Sequence, residues 1–208
     1  MKCIRTFAYL VVVVWVSSAH AGAFEDFFRA VRADDAKQVA ELLQRGFDPN
    51  AHDESGQSAL TLAVREGSGH VAGALLRHPQ LEVNALNHAG ESALMLAALK
   101  GQLDLARQLL ERGAAVNQDG WNALHYAATG PDAQLVALLL ERGAVIDAKS
   151  PNGSTALMMA ARYGTEQSVA LLLARGASKV LRNDRGMNAA DFARSVGRDA
   201  LAQRLDSR

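Results

Sequence analysis

The sequence is short of the residues on which many small domains rely. One cysteine in 208 residues leaves no material for a disulfide framework or a cysteine-rich zinc module. Aromatic residues make up 5%, and no sign of charge is in excess, since 22 Lys and Arg stand against 22 Asp and Glu. That balance argues against a nucleic-acid binder working through a basic face. No Gly-x-Ser-x-Gly, Walker-type loop or His-Glu-x-x-His is present, so the common signatures of nucleophilic, phosphate-binding and zinc-dependent enzymes are missing. Carboxylates such as Glu54, Glu66 and Glu91 show no spacing that sets apart an acid/base pair. His52, His88 and Asp53 could come together on neighbouring turns, but exposed histidines of this kind read as surface, and no metal or other cofactor is expected. What the chain does have is apolar residues, 49% of the total, which is enough to build a core.

Its most apolar run comes first. Lys2 and Arg5 precede Phe7 to Val16, and Ser17-Ser18-Ala19-His20-Ala21 supplies a small-residue exit. A run of ten is about half of what a membrane span needs, so residues 1–21 read as a secretory signal peptide. Cleavage is expected after Ala21, or after Ala23 by the alternative Ala21-Gly22-Ala23 pattern. It would remove Lys2, Arg5 and Cys3, leaving 20 basic against 22 acidic residues and no thiol. A thiol-free chain suits an oxidising compartment, and the short basic region points to the bacterial periplasm. No later stretch is long and apolar enough to suggest an anchor.

From residue 24 onward the chain repeats itself. Gly56-Gln57-Ser58-Ala59-Leu60 returns as Gly90-Glu91-Ser92-Ala93-Leu94, Gly120-Trp121-Asn122-Ala123-Leu124 and Gly153-Ser154-Thr155-Ala156-Leu157, and fades in Gly186-Met187-Asn188-Ala189-Ala190. The glycines are spaced by 34, 30, 33 and 33 residues, the interval of a repeat array. A second phrase keeps the same time: Leu42-Leu43, Leu75-Leu76, Leu109-Leu110, Leu139-Leu140 and Leu172-Leu173, preceded at three residues by Val39, Ala72, Ala106, Val136 and Val169. Apolar residues at i, i+3 and i+4 mark one buried stripe of a short helix.

The ends of these helices are also written in the sequence. Ser58, Ser92, Asn122, Thr155 and Asn188 are good N-caps for one helix of each unit. Arg45-Gly46, Arg112-Gly113, Arg142-Gly143 and Arg175-Gly176 close the other, the glycine supplying a left-handed turn and the arginine complementing the helix dipole. Small residues at Ala63, Ala97-Ala98, Ala127-Ala128 and Ala160-Ala161 predict close stacking of neighbouring helices.

In these phrases the chain resembles the ankyrin-repeat family. NALHYAA and TALMMAA stand for its TPLHLAA, and LLERGAAVN and LLERGAVID for its LLxxGAdvn, over roughly residues 24–206. The resemblance implies an all-α solenoid of stacked helix-turn-helix units with projecting β-turn fingers, each unit buried by its neighbours. The expected divisions are an N-terminal capping repeat at 24–52, full repeats at 53–86, 87–117, 118–148 and 149–181, and a closing repeat at 182–208. The family's proline after the N-cap is alanine throughout, and its histidine survives only as His125, where it is expected to tie neighbouring repeats together.

The resemblance also implies a function, the binding of a folded protein partner on the concave side made by the fingers and the first helices. Carried over by position, the helix sites are Arg65, Glu66, Leu99, Lys100, Thr129, Arg162 and Tyr163. The finger sites are His52, Asp53, Glu54, His88, Gln118, Asp119, Lys149, Ser150 and Pro151. The period of 30 adds a local feature: Asn117 to Gly120 is three residues shorter than Asn84 to Gly90. The finger there must be stunted, and beside it stands Trp121, either a binding hot spot or a plug for the gap. The expectation is a monomeric, non-enzymatic scaffold in the periplasm with an unidentified protein partner and no nucleic acid. Its narrower forms are an immunity or inhibitor protein against a toxin or enzyme, and an accessory factor for an oxidative-stress enzyme such as catalase.

Overall fold

The computed structural model describes residues 22–207. The segment read as a signal peptide, 1–21, lies outside the described residues. Within them the chain is helical, with two isolated β-bridges, His52 to Ser58 and Leu86 to Ser92, in place of strands. It falls into two compact units divided between Glu82 and Val83.

The first unit holds α1 (22–32), α2 (Ala36–Gln44), α3 (Ala59–Glu66) and α4 (Gly69–Leu76). Phe27 is fully buried and stacks on Phe47 with ring centroids 4.2 Å apart, so the opening helix pair carries an aromatic core of its own. Helix α4 packs against both α2 and α3. Asp34 joins α1 to α4 by accepting the Val71 N–H at 2.9 Å, and its other oxygen lies 2.6 Å from His70 Nδ1.

The second unit contains α5 (Ala93–Lys100), α6 (Leu103–Glu111), α7 (Ala123–Thr129), α8 (Ala133–Glu141), α9 (Ala156–Tyr163), α10 (Glu166–Ala174), α11 (Ala189–Arg194) and α12 (Asp199–Asp206). The inner helices α5, α7, α9 and α11 stack in chain order, and each packs against the outer helix that follows it. The predicted alanine pairs at 97–98, 127–128 and 160–161 are fully buried where these helices meet. Gly130 and Gly164 carry the same idea further. A Cβ on Gly130 would lie 2.7 Å from the Ala98 carbonyl oxygen, and one on Gly164 would lie 2.1 Å from that of Ala128. Arg198 then closes the stack by donating to the carbonyls of Ala160, Ala161 and Gly164 at 3.0–3.2 Å, which satisfies the free end of α9.

The capping chemistry is as the sequence predicts. Ser58, Ser92, Asn122, Thr155 and Asn188 each accept a backbone N–H of the first turn of α3, α5, α7, α9 and α11. The cap glycines 46, 113, 143 and 176 all have φ between +84° and +91°. The unit without that glycine ends α4 on Arg77 in an ordinary right-handed conformation, and the His78 N–H bonds to the Leu75 carbonyl. Asp206 is exposed at the end of the chain and pairs with Arg194, in keeping with a polar closing face.

Candidate protein-binding surface

The fingers are held by two side chains three residues apart. The first reaches forward to the next helix pair. Asn50 donates to the Gln80 carbonyl and accepts the Glu82 N–H; Asn84 does the same with Gly113 and Ala115. The second locks the finger tip: Asp53, Asn87, Ser150 and Asn183 each accept the N–H four residues on, within a tight backbone turn. Asp53 is therefore largely occupied by bonds of its own. Its side chain is 7% exposed, and its oxygens are taken by Ser55, Gln57 and Arg32. Burial alone would raise its carboxyl, but the bonds from Ser55 and Gln57 and the Arg32 charge outweigh that and hold it below the usual range. Ser150 is likewise buried, with its hydroxyl donated to Asn152. These two expected finger contacts point into their own turns.

The stunted finger follows from the same logic. Counted from the cap glycine Gly113, Asn117 stands where Asp147 stands after Gly143. Counted back from Gly120, it stands where Asn87 stands before Gly90. Loss of three residues merges the two roles into one side chain, and Asn117 performs the forward one, donating to the Gly143 carbonyl at 2.9 Å and accepting the Val145 N–H at 3.0 Å. Residues 117–120 therefore lack the locked turn seen in the other fingers, and Gln118 instead donates to the Gly90 carbonyl at 3.3 Å.

Behind this short finger the surface of the second unit opens. Trp121 is half-buried and sits edge-on to His125, with centroids 5.3 Å apart. It walls two depressions. One, of about 230 Å³, is lined by Leu99, Trp121, His125, Tyr126, Thr129 and Met159. The other, of about 310 Å³, adds Arg162, Tyr163, Arg185, Met187 and Phe192 to Trp121 and Met159. Tyr163 is 57% exposed, and the Arg162 guanidinium lies over its ring at 5.1 Å. The structure thus gathers Leu99, Trp121, Thr129, Arg162 and Tyr163 on one face of the second unit. His88, Lys100, Asp119, Lys149 and Pro151 are exposed but line neither depression.

In the first unit, Arg65 and Glu66 end α3 in solvent, and His52 is exposed beside its bridge to Ser58. Glu54 lines a separate hollow of about 630 Å³ with Phe24, Glu25, Phe28, Arg32, Asp53 and Ser55.

Tyr126, Met159 and Phe192 are missing from the sequence-based set. Each stands six residues after the turn glycine, the column held by Leu62 and Leu96 in the earlier units. Those leucines are 2% and 5% exposed, whereas Tyr126 and Met159 are half-exposed. The signal was the switch from leucine to a larger or more polar side chain within that column. The Tyr126 hydroxyl donates to Glu91 at 2.9 Å, and burial together with that carboxylate pushes its pKa up to about 12.

Below the depression, His125 is fully buried and its Nε2 lies 3.0 Å from the Ser154 carbonyl. Its Nδ1 lies 2.9 Å from the Asn122 side-chain oxygen and 3.4 Å from the Asn122 backbone nitrogen, so both ring nitrogens have polar partners. Burial lowers its pKa, although the bonds to the Ser154 and Ala148 carbonyls partly offset the effect. The ring ties the α7 pair to the turn before α9, the structural role expected of it. Among the described residues no group of three or more His, Cys, Asp or Glu is placed to hold a metal ion.

Comparison with known proteins agrees with this architecture. A model of ankyrin repeats (3 copies) matches residues 27–119 and 112–184, and the chain belongs to the ankyrin-repeat family. No curated protein sequence matches significantly. Among solved structures, a chain of the Bdellovibrio bacteriovorus predatory endopeptidase Bd0816 in complex with immunity protein Bd3460 is 28% identical, with a TM-score of 0.75, and the match covers 86% of this chain and 96% of that one. The ankyrin repeat domain of Bcl-3, described as a unique member of the IkappaB family, is 30% identical with a TM-score of 0.71, covering 85% of this chain and 81% of that one. Ankyrin repeats are protein-interaction scaffolds, and no helix among the described residues is long and apolar enough to cross a membrane.

Proposed function

We propose that this protein is a non-enzymatic binding scaffold, exported to the periplasm by residues 1–21, that captures a folded protein through the Trp121 face of its second unit. The observation that carries this reading is the pair of depressions behind the unlocked finger. They combine half-exposed Trp and Tyr with Met and Arg, the mixture that dominates interface energetics. Trp121→Ala or Tyr163→Ala is expected to weaken capture by about 2 kcal/mol, the threshold of a hot spot, with helicity unchanged. The measurement is affinity capture from periplasmic extract, identification by mass spectrometry and titration of the purified partner. Wild-type affinity in both variants would remove this face from consideration.

A narrower reading is that the partner is an enzyme that the scaffold holds inactive. It is favoured by the likeness to a chain of an endopeptidase–immunity complex, which extends over 96% of that chain. A captured hydrolase whose activity falls on titration with this protein supports it. A captured oxidative-stress enzyme that stays active supports the accessory role instead.

A further inference from the structure

We infer that the depression between Trp121 and Arg162 is built for a peptide segment in which an apolar side chain is flanked by a carboxylate. The inference rests on reading this face as a docking site and adds the chemistry of what docks.

Its walls are apolar and adaptable. Trp121, Met159, Met187 and Phe192 present rings and thioethers, which mould to aliphatic or aromatic side chains. At its edge lie two guanidinium groups, Arg162 and Arg185, and neither forms an ion pair within the described residues. The other arginines of the closing repeats are committed. Arg182 bonds to Gly186 and Asp191, Arg194 to Asp191 and Asp206, Arg198 to the end of α9, and Arg204 to Glu166.

Arg162 carries a second sign. Its Nε is buried and has no hydrogen-bond partner, although buried donors are nearly always satisfied. Its neighbours in the depression are Asn152, Ser154 and Asn183, which are neutral. The nearby acids do not meet the need. Asp191 is held by Arg182 and Arg194, while Asp184 is exposed and forms no ion pair among the described residues. A carboxylate entering beside an apolar side chain would pair with the two cations, in the geometry for which guanidinium is suited. A basic segment would be repelled there, and a purely apolar one would leave both cations unpaired. The apolar walls and the absence of net positive charge favour such a peptide over a nucleic-acid phosphate.

The test selects a random twelve-residue peptide library, displayed on phage, against the purified full chain, followed by fluorescence polarisation on synthesised winners. The winners should carry Asp or Glu within two residues of Leu, Phe, Met or Trp. Arg185→Glu, an exposed site that leaves the fold alone, should weaken them at least tenfold, as should Arg162→Gln. Replacing the acids of the peptide by their amides should do the same, and oligo-dT should not displace the peptide. Winners that lack acidic bias, that ignore Arg185→Glu or that yield to oligo-dT overturn the proposed chemistry, while their sensitivity to Tyr163→Ala keeps the docking face. No enriched peptide, or winners indifferent to both Trp121→Ala and Tyr163→Ala, overturns the docking face itself.

Discussion

Replacing Gly164 by alanine, and separately Gly143, distinguishes two reasons for glycine in this chain. Gly143 follows α8 with φ at +85°, and nothing lies within 4 Å of the position a Cβ would take. Alanine there meets only the backbone penalty for the left-handed region, about 1–2 kcal/mol, offset by about 0.4–1 kcal/mol from a less flexible unfolded chain. The net loss should be near 1 kcal/mol. Gly164 has φ −85° and ψ −177°, which any residue can adopt, so its backbone term favours alanine. The obstacle is the neighbour, since the new Cβ would sit 2.1 Å from the Ala128 oxygen and 2.9 Å from the Ala160 Cα. Relieving the first contact needs roughly 1 Å of separation between α7 and α9, the second lies within α9 itself, and overpacking of this kind costs about 1–3 kcal/mol or more. Because both obstacles are backbone, the upper end applies, and the net loss should be at least twice that of Gly143→Ala. Urea unfolding followed by circular dichroism and Trp121 fluorescence measures both. Equal losses, or a milder Gly164→Ala, would show that α7 and α9 do not approach as described.

Gly143→Val should cost more than Gly143→Ala, on the order of 1 kcal/mol or more, because a β-branched side chain resists the left-handed turn; thermal unfolding checks it. His125 is held neutral by burial, so its native pKa lies below the ordinary 6.5. Below that value the unfolded chain takes up a proton that the native chain refuses, and stability falls as pH drops towards the native pKa, with a slope of at most about 1.4 kcal/mol per pH unit. His125→Gln should remove that slope in urea titrations across this range, and an unchanged slope would contradict it. Inserting Ala-Lys-Ser after Asn117 would restore the finger pattern of residues 147–150. It should leave the fold intact and abolish partner capture, and capture at wild-type strength would show that the short finger has no part in binding.

Much of this architecture is legible in the sequence because short-range chemistry writes it. Hydroxyl and amide N-caps, Arg-Gly endings and alanine pairs act within one turn or between neighbouring helices, so a repeating phrase is enough to place them. The stunted finger and Trp121 were legible for the same reason, as a break in a regular count. The inward-facing Asp53 and Ser150 were not, because a polar residue in a finger can equally face solvent or lock its own turn. Tyr126, Met159 and Phe192 were hidden by their column, which holds buried leucines in the earlier repeats. Gly67 and Gly101 end α3 and α5 in the left-handed region, while Gly130 and Gly164 end α7 and α9 extended. For Gly130 the following Pro131 forces the difference; for Gly164 only the packed neighbour reveals it.

Hydrogen–deuterium exchange of the chain, free and saturated with its captured partner, tests the central claim most directly. The account predicts slowed exchange over residues 117–121, at the end of α9 around Arg162 and Tyr163, and across residues 183–187. Protection confined to the outer helices α6, α8 and α10, with those segments unchanged, would contradict it.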